Sequence, residues 1–106
     1  MKKLVRDNII EIMKNNNQNP NYYIAKDNNE FYSFLKEKLN EEIKEFFEAE
    51  SSEDKISEMG DVIEVLLAII KFNKLDWEII EEARLAKKDK NGGFDKQIIL
   101  IKKVLN

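Results

Sequence analysis

Hydrophobic residues recur every three or four positions along most of the chain, which is the spacing of one face of an α-helix. This pattern predicts four helices: a first over 3–14, a second over about 29–50, a third that ends near 72, and a fourth that starts after Asp76 and ends in the basic stretch 84–90. The pair Ser51-Ser52 has the composition of a turn and a helix start. We therefore predict an all-α fold, a four-helix bundle whose second and third helices pair antiparallel about this turn.

Two short segments have the composition of β-strands. Residues 22–25 and 97–101 are rich in aromatic or β-branched side chains, and they flank the helical part of the chain. We predict a short strand pair between them, although the tail 94–105 also fits a last helix. No repeat or linker divides the sequence, so we expect a single domain over 1–106.

The third helix is apolar around most of its circumference, most clearly over 62–70. Three other short helices cannot cover all of its sides, because small domains bury little surface alone. A shared core with a second copy solves this problem. We expect a homodimer, with a tetramer as the alternative.

Composition excludes several classes of function. The chain has 106 residues with neither Cys nor His, so thiolate zinc sites, cysteine nucleophiles and histidine-based triads are impossible. Its net charge of −3 argues against binding to duplex nucleic acid. No apolar segment is long enough for a membrane span or a signal peptide, which leads us to expect a cytoplasmic protein.

The acidic residue Glu42 occupies an unexpected position. Glu-rich helices usually expose their acids to water. At about 100° per residue, however, Glu42 projects between Leu35 and Leu39, inside the apolar stripe of its own helix. Glu45 lies at the border of the same stripe. A buried carboxylate persists only when it is paired or binds a metal.

The next helix supplies matching acids. Residues equally far from the predicted turn should lie opposite each other, which places Glu45 near Glu58 and Glu42 near Asp61. Each pair is one helical turn apart on its helix, so the four carboxylates converge. Lys38 is the one nearby cation in this projection. Four oxygen ligands without imidazole or thiolate suit Mg²⁺, with Mn²⁺ as a substitute, and Mg²⁺ often binds substrate phosphates as well.

The two acidic motifs, Glu-Glu-x-x-Glu at 41–45 and Glu-x-x-Asp at 58–61, are separated by twelve residues. This arrangement resembles the MazG-like all-α nucleotide pyrophosphohydrolases. The whole chain resembles the small phosphoribosyl-ATP pyrophosphohydrolase-like proteins, which also begin with a segment similar to 3–7 and end with one similar to 90–94. The similarity spans roughly 3–101.

The resemblance implies hydrolysis of a nucleoside triphosphate to the monophosphate and pyrophosphate, with Mg²⁺ required. It assigns the metal ligands to Glu42, Glu45, Glu58 and Asp61. It makes Glu41 a candidate for positioning water, so that Glu41, Glu42 and Glu45 form the candidate catalytic set. The base, the sugar, the phosphorus attacked and the physiological role, histidine biosynthesis or nucleotide housekeeping, stay open.

Several cations are candidates for binding the polyphosphate: Lys38, Arg84, Lys87, Lys88 and Lys90. Those near the end of the fourth helix have a simpler explanation, because Lys and Arg in a last helical turn stabilise the helix dipole. We interpret Arg6 and Asp7 as a structural ion pair. We interpret Trp77 and Phe94 as core or interface residues, with base stacking as the alternative.

The chain departs from the family pattern at two positions. Ile10 stands where Pro is common, and Asn91 stands where Arg is common before Gly-Gly-Phe, which leaves the substrate preference open. Two alternatives to an active enzyme also remain: a helical interaction module without enzymatic activity, and a family member that binds metal without turnover.

Overall fold

The structure, a computed structural model, describes residues 1–102. Within this range the regular elements are four α-helices: α1 (Ile9–Asn15), α2 (Asn28–Glu48), α3 (Ser52–Phe72) and α4 (Trp77–Asn91). The predicted all-α class is therefore confirmed. The second, third and fourth helices begin and end within a few residues of their predicted positions.

Short polar side chains fix where the three long helices begin. Asp27 and Ser51 accept hydrogen bonds from backbone N–H groups in the first turns of α2 and α3. Asp76 accepts from the backbone N–H groups of Glu78 and Ile79. Each side chain satisfies donors that the helix itself leaves unpaired, and this stabilises the helix start by about 1 kcal/mol.

The first helix is shorter than predicted. It begins at Ile9 rather than at residue 3, and residues 3–6 have no regular secondary structure. Instead, Leu4 and Val5 line a groove against the later helices, and Arg6 makes an ion pair with a residue of α3. These tertiary contacts outweigh the local helical pattern.

The predicted strand pair is wrong. Residues 22–25 and 97–101 are neither strand nor helix, and their apolar side chains, such as Ile24 and Ile98, are exposed. The rings of Tyr22 and Tyr23 instead lie under the ammonium groups of Lys14 and Lys2. Without a surface to pack on, β-favouring residues do not form strands. Residues 103–105 of the predicted tail lie outside the described residues.

By its contacts the chain divides into two compact units, the first of which is Met1–Lys74. Its small core lies between α2 and α3, where Leu35, Val62 and Val65 are buried. Near the start of α2, Tyr32 stacks on Phe72 at the end of α3, with ring centroids 4.6 Å apart. These apolar contacts determine which residues of the two helices face each other.

One face of α3 is apolar but exposed. Ile56, Met59, Ile63, Leu66 and Leu67 project from neighbouring angles around the helix, and each is more than one third exposed. This face adjoins the side that carries the buried valines. Within the described part of the chain, no helix is both long and apolar enough to cross a membrane.

The second unit begins at Leu75 and contains α4. None of the residues of α4 is buried, and Trp77 and Phe94 are both exposed. Neither aromatic residue therefore belongs to a core of the single chain, so the core role predicted for them is wrong.

Candidate metal centre

Glu42 is buried in the seam between α2 and α3. Its exposed fraction is 6 %, and it is the one buried charged residue among residues 1–102. It stands two helical turns after the core residue Leu35, as the helical projection predicts. A carboxylate at such a position loses its hydration and must regain comparable interactions from the protein or from an ion.

The protein supplies only part of those interactions. Lys38 Nζ lies 3.2 Å from Glu42 Oε1 and 3.5 Å from Glu41 Oε2, so one ammonium group serves two carboxylates. Glu42 Oε2 is buried and has no hydrogen-bond partner, and the same is true of Glu58 Oε2. Two such carboxylate oxygens in one seam call for a partner that the protein does not supply, which can be a shared proton or a cation.

The structure brings the two acidic motifs together. One carboxylate oxygen each from Glu42, Glu58 and Asp61 lies within 4.8 Å of the others, and a second set with the same spacing joins Glu42 to Glu41 and Glu45. The four predicted ligands, together with Glu41, thus fall into two overlapping groups that share Glu42, rather than into one compact set. Either group could hold a divalent cation.

Glu45 reports the electrostatic character of this cluster. Desolvation raises the pKa of Glu45 from 4.5 to about 7, together with the negative charge of Glu42, a hydrogen bond shared with the Glu42 side chain, and the charges of Glu58 and Glu41. Each of these causes penalises the ionised form. Without a cation, the cluster therefore retains a proton that an isolated glutamate would release.

Sequence reasoning missed two cations near the carboxylates. Arg6 Nη2 donates a hydrogen bond of 2.7 Å to Asp61 Oδ1, and Lys3 Nζ lies 3.8 Å from Glu41 Oε1. The expected partner of Arg6 was its neighbour Asp7, so that interpretation is wrong. Lys38 is likewise not the one nearby cation. The partners are separated by 55 positions in the Arg6–Asp61 pair, and no local pattern encodes such a contact.

A groove of about 970 Å³ adjoins the cluster, within the first unit. Its walls come from the segment before α1 and from the facing sides of α2 and α3, including Phe31 and Val65. Its charged lining consists of Arg6, Asp7, Lys38, Glu42, Asp61, Glu64 and Lys71. A cleft that combines apolar walls with charged groups could take a small molecule that has both kinds of surface.

The remaining predicted phosphate-binding residues lie elsewhere in the chain. Arg84, Lys87, Lys88 and Lys90 are on α4, which belongs to the second unit. Arg84 pairs with Glu81 one turn earlier, and this pairing raises the pKa of Arg84 and lowers that of Glu81. Lys38, in the first unit, contacts the carboxylate cluster.

Comparison of the chain with protein-family models, with curated proteins and with solved structures found no significant match. The residues and their geometry therefore carry the functional argument.

We predict that the metal-free protein loses stability as the pH rises from about 4.5 to about 7. Over this range the folded chain keeps a proton on Glu45 that the unfolded chain has released, so raising the pH favours unfolding. Urea unfolding without divalent cations, at about pH 5 and about pH 8, measures the difference. Glu45→Gln should reduce it, whereas the exposed Glu48→Gln, on the same helix, should not. An equal pH dependence in wild type and Glu45→Gln would contradict the prediction.

Proposed function

We propose that this chain is a Mg²⁺-dependent nucleoside triphosphate pyrophosphohydrolase, which converts a nucleoside triphosphate and water to the monophosphate and pyrophosphate. We assign it to the MazG-like all-α superfamily, near the small phosphoribosyl-ATP pyrophosphohydrolase-like proteins. The observation that carries the proposal is the buried Glu42 carboxylate, which has one unpartnered oxygen and lies in one group with Glu58 and Asp61.

The chemistry of the cluster favours a hard divalent cation. All of its donors are carboxylate oxygens, and the chain contains no His or Cys that would favour a softer metal. We propose Glu42, Glu45, Glu58 and Asp61 as ligands of Mg²⁺, with Mn²⁺ as a substitute. Because Mg²⁺ keeps open positions for water and phosphate oxygens, it would serve a polyphosphate substrate in the adjoining groove.

The contacts between α2 and α3 support the proposed fold type. Residues at the start of α2 meet the end of α3, and Glu42, in the second half of α2, meets Glu58 and Asp61 in the first half of α3. This is the contact pattern of an antiparallel helix pair. We propose that the pair is the central element of a MazG-like bundle.

The protein's own groups would orient the reaction. Bound Mg²⁺ supplies charge neutralisation for the phosphate oxygens and lowers the pKa of water. Glu41, held by Lys38 and Lys3 at the edge of the cluster, would accept a hydrogen bond from the attacking water and align it. Lys38 would hold Glu42 in place and add positive charge beside the phosphates. Nucleoside triphosphates are abundant in the cytoplasm, which is where we propose that the chain acts.

We predict pyrophosphate release from at least one member of a panel of canonical nucleoside triphosphates, modified nucleoside triphosphates and phosphoribosyl-ATP, with Mg²⁺ present but not without it. Glu42→Gln keeps the shape of the side chain but removes a metal ligand, so it should lower turnover about 100-fold or more. Glu48→Gln, at the exposed end of α2, is the matched control and should retain activity.

Mg²⁺ binding without turnover on any substrate would favour the alternative of a family member that binds metal only. Failure to bind Mg²⁺ would favour the interaction module.

We also propose that the chain forms a homodimer through the exposed apolar face of α3, with a tetramer as the alternative. Burying this face against a second copy removes contiguous apolar surface from water. Light scattering after size-exclusion chromatography should give a dimer mass at micromolar concentration, and Ile63→Glu should shift it towards the monomer. The control Ile24→Glu, on an exposed segment outside the helices, should remain dimeric. A folded wild-type monomer would contradict this proposal.

A further inference from the structure

Arg6 is the cation that reaches Asp61 from the segment before α1. Its guanidinium Nη2 lies 2.7 Å from Asp61 Oδ1, and the two side chains are 55 % and 38 % exposed. Ion pairs this open to water contribute little to folding stability. The contact is therefore weak enough to be exchanged for another.

Asp61 takes part in two arrangements, and a cation in the second would place its positive charge near the guanidinium of the first. It pairs with Arg6, and it also belongs to the group of oxygens with Glu42 and Glu58 that could hold a cation. Arg6 does not complete that group, because Glu42 Oε2 and Glu58 Oε2 still have no partner. A divalent cation at the group would attract all three carboxylates and weaken the hold of Asp61 on the guanidinium.

The released guanidinium would lie beside a second binding surface. Arg6 lines the groove that adjoins the carboxylates, and so does the apolar segment around it, including Leu4 and Val5. A guanidinium presents a planar set of donors that matches two phosphate oxygens at once. A polyphosphate in the groove is therefore a natural new partner for Arg6.

We propose that Arg6 is a substrate-binding residue that exchanges partners: it pairs with Asp61 in the metal-free protein and with the polyphosphate of the substrate once a cation occupies Asp61. This inference rests on the proposed function. It makes the segment before α1 part of the binding site, and it makes cation binding the event that frees the phosphate-binding group.

Calorimetric titrations of the full chain with Mg²⁺ alone, and with inorganic tripolyphosphate at saturating Mg²⁺, test the exchange. Arg6→Gln removes a positive charge that attracts Asp61 and repels a cation beside it, so it should tighten Mg²⁺ binding about twofold to fivefold. The same variant lacks the phosphate partner, so tripolyphosphate should bind about tenfold more weakly. Arg6→Lys keeps the positive charge but not the planar set of donors. Its affinity for tripolyphosphate should therefore lie between those of the wild type and Arg6→Gln. Lys14→Gln removes one exposed charge from α1 and should leave both affinities unchanged.

Tighter binding of Mg²⁺ together with weaker binding of tripolyphosphate in Arg6→Gln distinguishes the exchange of partners from a merely structural role. If Arg6 only held the fold together, Arg6→Gln would weaken the binding of both Mg²⁺ and tripolyphosphate. Arg6→Lys would weaken both to a smaller extent. Either that result or an unchanged tripolyphosphate affinity in Arg6→Gln would overturn the inference while leaving the proposed function intact. A wild-type chain that binds no Mg²⁺ would overturn both.

Discussion

The candidate site of the first unit depends on one carboxylate, that of Glu42, which lies where the helix pair would otherwise place an apolar side chain. A buried carboxylate without compensating charge destabilises the folded state by several kcal/mol. Lys38 compensates one oxygen of Glu42 and shares its charge with Glu41. The other oxygen has no partner within the described residues. The folded chain therefore carries an unfavourable interaction that a cation between the helices would relieve.

The small apolar core determines where this charge is placed. Leu35 on α2 and the valines Val62 and Val65 on α3 are buried together, and the stacked rings of Tyr32 and Phe72 hold the other end of the helix pair. These contacts leave the two helices little freedom to slide along each other. The acids of α3 consequently lie beside Glu42 on regular helical backbone, which positions side chains more rigidly than a loop does.

Periodicity and cap residues made the helices predictable, because both are local properties of the chain. Ser51 and Asp76 are short polar residues placed just before apolar repeats, and both act as caps. The convergence of the two acidic motifs followed from the register that a short turn imposes. The pairing of Arg6 with Asp61 had no comparable signal, since only tertiary structure brings them together. The predicted strand pair is wrong for the opposite reason. Residues 22–25 and 97–101 have a local preference for strands, but they have no apolar surface to pack against.

The central claim is that a divalent cation binds between α2 and α3 at Glu42. Its most direct test is an anomalous difference map from crystals grown with Mn²⁺, since Mn²⁺ takes the same oxygen ligands as Mg²⁺ and scatters anomalously. We expect one strong peak at coordination distance from Glu42 Oε2 and from an oxygen of Glu58 or Asp61. A map at saturating Mn²⁺ in which peaks occur only at exposed acids, with Glu42 still paired with Lys38 alone, would contradict cation binding between the two helices.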